Sequence, residues 1–387
     1  MNRPRACVFS TNFLEYSQTF VHDELRHHDR WDASVICHHR TNADRFPFDD
    51  VLVLDRQGLA GRLDGLLYKA TGNSPTALRW IREHRFDLLH AHFGPASMYA
   101  LGPAMLFDLP LVVTYHGYDV PLLSSQQRLR PRYWRYWALS PLMLRRVDRF
   151  LPASDELARM LIELGAPAER VHVWRLGVTI PSEWTPRALH DDPRVVMIGR
   201  FVEKKGFDVG LRAFARLAAR FPRAVLQIVG DGPGRANLEA IIAQEQLGGR
   251  VQFLGVLPHA EVFATLERAD VLMAPSNVDS VGNRESGLLV IKEAAARGVP
   301  AVGTIHGGIP EIIDDAITGF LVPERDVETL ADRLGRLLQD AALRRTMGIA
   351  ARAKMEREYN IIDRVRVLEQ HYDAAVIHRA GRSRAPR

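Results

Sequence analysis

Arg194-Val195-Val196-Met197-Ile198-Gly199-Arg200 is the place where this chain starts its pattern a second time. The first five residues are mostly apolar and β-branched, which suits a strand, and a glycine closes the run. Working back from it, Ala6–Ser10, Ser34–His38, Val51–Leu54, Leu88–His90, Leu111–Tyr115 and Arg149–Ala153 also read as strands. Working forward, Ala224–Val229, Val251–Phe253, Val271–Ala274, Val299–Gly303 and Phe320–Val322 do so. Helical segments are expected near Ser17–His27, from Ser154 onward, and over Val327–Leu338 and Ala341–Glu358. Ser154 can cap its helix, and Asp155 and Glu156 put negative charge in the first turn, where the dipole favours it. Strands alternating with helices predict βαβ units, hence parallel sheets covered on both faces.

The expected fold class is therefore α/β, with two doubly wound, Rossmann-like domains and ligands at the carboxyl ends of the strands. The boundaries read as 1–183 and 184–360. Trp184–Pro193, bearing Pro and Asp without apolar periodicity, reads as the linker. The helical stretch Ile361–His378 lies beyond the second set of strands and is expected to pack back on the first domain. Residues 379–387 carry four arginines with Gly and Pro and read as a disordered basic tail.

Bulk composition narrows the class. Hydrophobic residues make up 47% and charged residues 25% of 387 positions, the balance of a soluble globular protein. No apolar run approaches the ~20 residues that a membrane span needs. Met1–Arg5 leads directly into a strand without an apolar core or cleavage site, so no signal peptide is expected and the chain reads as cytoplasmic. Cys7 and Cys37 both fall in strands and are expected to be reduced core residues. The net charge of +5 suits an anionic partner, either a phosphate-bearing substrate or an acidic membrane surface, but singles out neither. No nucleic-acid-binding signature is present, and nucleic acid is not an expected partner.

The most informative segment is Glu285-Ser286-Gly287-Leu288-Leu289-Val290-Ile291-Lys292-Glu293. Its first glutamate lies in a loop after a strand and its second in the apolar helix that follows. Eight residues of helix span about 12 Å, so two carboxylates so spaced can reach two hydroxyl-bearing parts of one ligand. Spacing alone leaves a second reading open, in which Glu285 helps to cap the helix and Glu293 is a surface residue.

With its surroundings the segment resembles the family-four glycosyltransferases of the GT-B fold, whose mark is this Glu-x7-Glu pair. Gly199-Arg200-Phe201-Val202-Glu203-Lys204-Lys205-Gly206, Val229-Gly230-Asp231-Gly232-Pro233, Phe253-Leu254-Gly255 and Gly307-Gly308-Ile309-Pro310-Glu311 match in order. One departure is Leu288, where the family often has Pro or Gly, and it is expected to alter loop rigidity. In the first half, Ser17-Gln18-Thr19-Phe20, His90-Ala91-His92-Phe93-Gly94 and Thr114-Tyr115-His116-Gly117-Tyr118-Asp119 are similar to members that build bacterial exopolysaccharides of the colanic acid and amylovoran type.

The resemblance implies two domains facing across a cleft, the first binding an acceptor and the second a nucleotide sugar. It implies transfer of a hexose, with retained anomeric configuration, from a donor such as a GDP- or UDP-hexose. The acceptor would be a glycan, lipid-linked, in exopolysaccharide or lipopolysaccharide synthesis. Glu285 and His116 would meet the transferred sugar, and Glu293 the ribose. Arg200 and Lys205 would meet the charge that grows on the diphosphate as the bond breaks. Amides of Gly307, Gly308 and Ile309 would add to this at a helix start, and Gly230, Leu288 and Leu289 would line the donor. Ser17, Thr19, His92 and Asp119 are weaker candidates for acceptor or phosphate contact; Ser17 and Thr19 can equally cap a helix, and His92 can equally be structural.

No cofactor or metal is expected, because no Asp-x-Asp occurs and the histidines show no metal-ligand spacing. A front-face route, in which the leaving phosphate helps to deprotonate the acceptor, is expected over a covalent intermediate. Arg128–Arg146 interleaves six arginines with four aromatics. It reads either as a helix packing its aromatics inward, as an acceptor groove, or as a peripheral contact with an anionic membrane. The rival functions are a GT-B epimerase or phosphorylase and a non-catalytic nucleotide-sugar binding protein.

Overall fold

The computed structural model describes residues 3–15, 19–55, 58–131, 133–186, 188 and 192–383. The chain forms two compact units, Met1–Gly177 with Ile361–Arg387, and Val178–Asn360.

The first unit is built on β1 (Arg5–Phe13), β2 (Asp32–Arg40), β3 (Val51–Val53), β4 (Leu88–His92), β5 (Leu111–Tyr115) and β6 (Arg149–Pro152). Its helices are α1 (Thr19–Arg26), α2 (Leu59–Thr71), α3 (Pro75–His84), α4 (Gly94–Leu106), α5 (Pro121–Ser124), α6 (Trp134–Arg146) and α7 (Asp155–Glu163). The sheet runs β3-β2-β1-β4-β5-β6, and every pair is parallel. Every residue of β4 and β5 is buried, as a parallel sheet covered on both faces requires. Phe9, Ile36, Leu89, Val113 and Phe150 form the centre of the core. Ser154 accepts the Leu157 amide at 3.3 Å, which is the expected cap on α7.

The second unit repeats the plan. It has β7 (Arg194–Ile198), β8 (Val225–Val229), β9 (Val251–Gly255), β10 (Val271–Ala274), β11 (Ala301–Thr304) and β12 (Gly319–Val322). Its helices are α8 (Phe207–Ala218), α9 (Arg235–Gln244), α10 (His259–Arg268), α11 (Leu289–Ala295), α12 (Ile309–Ile312), α13 (Val327–Gln339) and α14 (Ala341–Glu358). The order β12-β11-β10-β7-β8-β9 again places the first strand at the centre, beside the fourth. The connections change direction between β7 and β10, and loops leaving the carboxyl ends there are where a doubly wound sheet takes its ligand. Trp184, expected in a linker, is anchored in this unit. Its indole donates to the Arg297 carbonyl at 3.0 Å, and the Arg352 guanidinium lies over its ring.

A last helix, α15 (Ile361–Ser383), returns to the first unit. The buried Glu369 carboxylate accepts the amides of Asp29, Arg30 and Trp31 at 2.8–3.1 Å, and the Trp174 indole donates to the Arg364 carbonyl. This corrects the reading of a tail disordered from Arg379. The helix continues to Ser383, and the Arg379 guanidinium pairs with Asp108. Composition could not reveal a partner 271 positions away. Residues 384–387 lie outside the described ones. Cys7 and Cys37 are buried and free, as expected, and burial pushes the Cys37 thiol up to about 12.

Candidate functional site

In the second unit most of the candidate residues gather at the carboxyl ends of β7, β8, β10 and β11. The loop after β7 carries Arg200, Lys204 and Lys205. At its end Gly206 has φ +62°, and a Cβ there would meet the Pro275 carbonyl oxygen at 1.9 Å. Only glycine lets this loop lie against the β10 loop. Gly230 acts similarly one strand over: at φ +131° it faces the Gly199 carbonyl oxygen, which a Cβ would meet at 2.0 Å.

This close approach lets both lysines hold one carboxylate. Lys204 Nζ lies 2.8 Å from Glu285 Oε1, and Lys205 Nζ lies 2.9 Å from Oε2. Glu285 is only 11% exposed at its side chain. Burial alone would raise its pKa, but Lys205 and Lys204 together outweigh burial and hold it near 2. With Arg200 the loop carries three cations; Glu285 offsets one, and Glu203 of the same loop pairs with Arg325, so a positive excess suited to a diphosphate remains. Arg200 is exposed.

The segment 275–288 has no helix or strand of its own and is tied down by side chains. Glu324 accepts the Val278 amide at 2.9 Å, Glu203 accepts the Ser280 amide at 3.0 Å, and His306 accepts the Glu285 amide at 3.0 Å. The segment ends at Leu288, which is buried with φ +33° in the left-handed region. A side chain there carries strain of order 1–2 kcal/mol that glycine would not. This is the physical content of the departure noted at Leu288. Leu289 begins α11 and is partly buried. About one turn on, Glu293 is largely buried, and its Oε1 lies 3.1 Å from His259 Nε2 of α10.

Beyond β11, neither the Gly307 nor the Gly308 amide donates to a group among the described residues. Ile309 corrects the expectation for this turn. Its amide already donates to the His306 carbonyl at 3.0 Å, and its side chain is fully buried. The helix behind it, α12, is a single turn, so an anion here would rely on the two glycine amides more than on a helix dipole.

In the first unit His116 follows β5 and is part-buried between Phe93 and Phe20, with ring centroids 4.5 and 4.8 Å away. Its Nε2 lies 3.2 Å from His92 Nδ1, and His92 Nε2 lies 3.1 Å from Glu24 Oε1 on α1. A Glu24 carboxylate only accepts, so His92 donates Nε2–H to it and offers Nδ1 as an acceptor. His116 then donates Nε2–H to His92, which leaves its Nδ1 as the basic nitrogen. His90, wholly buried behind them, bonds to Tyr372 at 2.7 Å and to Thr114 at 3.2 Å. Burial, then the neighbouring His92, pushes the His90 pKa well below the usual range.

His92 and Asp119 are both fully buried, so neither reaches an acceptor from where it stands. Asp119 accepts the amides of Gly94, Gly117 and His116 at 3.0–3.2 Å and so fixes the turn that carries His116. Burial raises its pKa, and those three amides offset only part of the rise. Ser17, and the side chain of Thr19, lie outside the described residues.

Among the described residues two clusters bring three metal-ligand atoms within 4.8 Å of one another: Glu24, His90 and His92, and His38, His39 and Asp55. Each draws on more than one element, so sequence spacing does not show them. The first is buried and internally hydrogen-bonded. The second lies at the carboxyl ends of β2 and β3.

Arg128–Arg146 divides between two roles. Tyr136 and Arg146 point inward, the latter pairing with Asp148 at 2.8 Å and bonding to the Ala104 carbonyl, which removes Arg146 from any surface patch. Trp134, Trp137 and Leu142 are exposed. Arg132 lies outside the described residues. A second exposed apolar stripe was not foreseen: Leu59, Leu63, Leu66 and Leu67 on α2 are all exposed, spaced to share one helix face. Among the described residues no helix is long and apolar enough to cross a membrane.

Two doubly wound units of this order define the GT-B class. Across 96% of this chain and 100% of that chain, the fold is similar to that of Anabaena HepE, solved in complex with UDP and glucose (TM-score 0.76, 19% identity). The model for group 1 glycosyl transferases matches residues 183–354, and that for glycosyltransferase family 4 matches residues 17–180. The chain is 33% identical over 285 residues to WcaL of Escherichia coli K12, named for a glycosyltransferase role in colanic acid biosynthesis, covering 71% of this chain and 68% of the relative. It is also 33% identical over 279 residues to the amylovoran biosynthesis glycosyltransferase AmsK of Erwinia amylovora, covering 71% and 67%. The chain belongs to the family-four glycosyltransferases.

Proposed function

We propose that the second unit binds a nucleoside diphosphate hexose and that the chain transfers the hexose, with retention and without a metal, to a glycan acceptor in exopolysaccharide or lipopolysaccharide synthesis. The observation that carries this reading is the double grip of Lys204 and Lys205 on Glu285, beside Gly307 and Gly308, whose amides donate to no group among the described residues. When donor enters, the lysines and Arg200 have charge to spare for the diphosphate, and Glu285 is already ionised and held to accept from sugar hydroxyls. Glu293, steadied by His259, takes the ribose. Within the first unit the His116 ring is fixed through His92 to Glu24, an orientation that suits a sugar contact. The naming of WcaL for colanic acid biosynthesis and of AmsK for amylovoran biosynthesis supports a glycan acceptor, which in this reading is lipid-linked.

The same reading gives the first unit a peripheral contact with the cytoplasmic face of an anionic membrane. The exposed leucines of α2, with Trp134 and Trp137, supply apolar groups for an interface, and Arg62, Lys69 and Arg145 supply charge.

A panel of UDP- and GDP-hexoses tests the donor assignment. Slow nucleoside diphosphate release with one donor, accelerated by a polyprenyl-linked glycan, is the expected result. Release of sugar phosphate from glycan without nucleotide would indicate a phosphorylase instead.

A further inference from the structure

Glu285 owes its place to more than the lysines. The segment that carries it has no regular hydrogen-bond ladder, so its geometry depends on tertiary bonds. Among the side chains that supply them are Glu324 and His306, both outside the Glu-x7-Glu segment. Glu324 Oε2 accepts the Val278 amide at 2.9 Å, and Glu324 Oε1 lies 2.7 Å from His306 Nδ1. His306 Nε2 accepts the Glu285 amide at 3.0 Å. The His306 side chain has no solvent exposure.

The protons in this chain have only one arrangement. A backbone N–H can only donate, so His306 Nε2 carries the lone pair. The ring proton therefore sits on Nδ1 and points at Glu324. Burial tends to raise the Glu324 pKa, but the Val278 amide and His306 outweigh it and hold the group ionised. The result is a carboxylate–imidazole–amide chain in which the imidazole reads one tautomer and fixes one backbone atom.

We propose that His306 and Glu324 are positioning residues for Glu285: the pair, in its Nδ1–H form, fixes the Glu285 backbone so that the carboxylate is presented to the sugar of the donor. This rests on the reading of Glu285 as a donor contact. His306 also immediately precedes Gly307 and Gly308, so it couples the sugar-facing loop to the turn assigned to the diphosphate. Glu293 stands on α11 and is held by His259, and needs neither of them.

The division of labour gives the test. His306→Ala removes the acceptor for the Glu285 amide, whereas His306→Gln can return one near the position of Nε2. Glu324→Gln keeps the shape and weakens the tautomer preference. These variants and Glu285→Ala are assayed for kcat and KM with UDP-glucose and GDP-mannose, and for UDP and GDP affinity. Histidine-15N spectra of the wild type and Glu324→Gln report the His306 tautomer. The expected result is a fall of about tenfold or more in kcat for His306→Ala, with nucleoside diphosphate affinity within about threefold of wild type. His306→Gln should recover most of the loss, and wild-type His306 should carry its proton on Nδ1.

Full kcat in His306→Ala, where Glu285→Ala is inactive, would overturn the positioning role and leave the Glu285 reading intact. Full activity in Glu285→Ala would overturn that reading itself. Equal losses in His306→Ala and His306→Gln, nucleotide affinity falling in step with kcat, or a proton found on Nε2 would each also overturn the proposal.

Discussion

Lys205 Nζ stands 2.9 Å from Glu285 Oε2, joining residues 80 positions apart across two loops. The pair is largely buried, and Lys204 completes it on the other oxygen. The Glu285 pKa is depressed from 4.5 to about 2, so its contribution to stability is fully present above about pH 4.5 and is lost as pH falls toward 2. The difference in unfolding free energy between wild type and Glu285→Gln should therefore be flat from pH 7 to 5 and shrink below that. Chemical denaturation at a series of pH values measures it. A difference that instead persists unchanged to pH 2.5 would show that the carboxylate is not held by the lysines.

Glu293→Ala should weaken nucleoside diphosphate binding more than it slows the bound complex. Hydrogen bonds to a charged acceptor are worth roughly 1.5–3 kcal/mol, so the affinity should fall about 10- to 150-fold. Calorimetry with the nucleotide alone reads this. Unchanged affinity would remove Glu293 from the nucleotide.

Glu24→Gln should lower turnover by about tenfold or more while leaving nucleotide affinity untouched. The amide can donate to His92 Nε2, which reverses the tautomers of His92 and His116 without opening a cavity. Glu24→Asp, acidic but shorter, should retain more activity. Equal activity in wild type and Glu24→Gln would mean that His116 needs no such orientation.

Turnover should survive exhaustive treatment with a chelator, since Arg200, Lys205 and backbone amides are the groups proposed to meet the leaving-group charge. Collapse of activity, restored by Mg²⁺ or Mn²⁺, would contradict it.

Much of this molecule was legible because its signals are local. All twelve strands are apolar runs closed by turn residues, and each appears in the structure within a few positions of where it was read. The Glu-x7-Glu segment and the glycine turns are likewise contiguous. What escaped was every partner brought in from elsewhere. Glu24 meets His92 across 68 positions, and His306 meets Glu285 across 21. No periodicity or spacing encodes such pairs. Lys204 was passed over beside Lys205, although two adjacent lysines in one loop were a visible sign. His92 and Asp119 are weaker contact candidates in the sequence, yet both side chains are fully buried and hydrogen-bonded to the protein itself. The leucines of α2 were overlooked because an amphipathic helix normally hides that face.

Membrane contact can be read by co-sedimentation with anionic and neutral liposomes at low and high salt. Binding should require anionic lipid and fade as the Debye length shortens. Leu63→Ser with Leu66→Ser should reduce it without changing catalysis on a soluble acceptor. Equal recovery in every condition would return α2 and α6 to ordinary surface.

The central claim is that the second unit holds the donor diphosphate through the Lys205 loop. Calorimetric titration of UDP and GDP into wild type and Lys205→Ala tests it most directly. The account predicts that one nucleotide binds wild type and that the variant loses at least about tenfold in affinity, the scale of one charge-assisted contact. Equal affinity in the two proteins would contradict it.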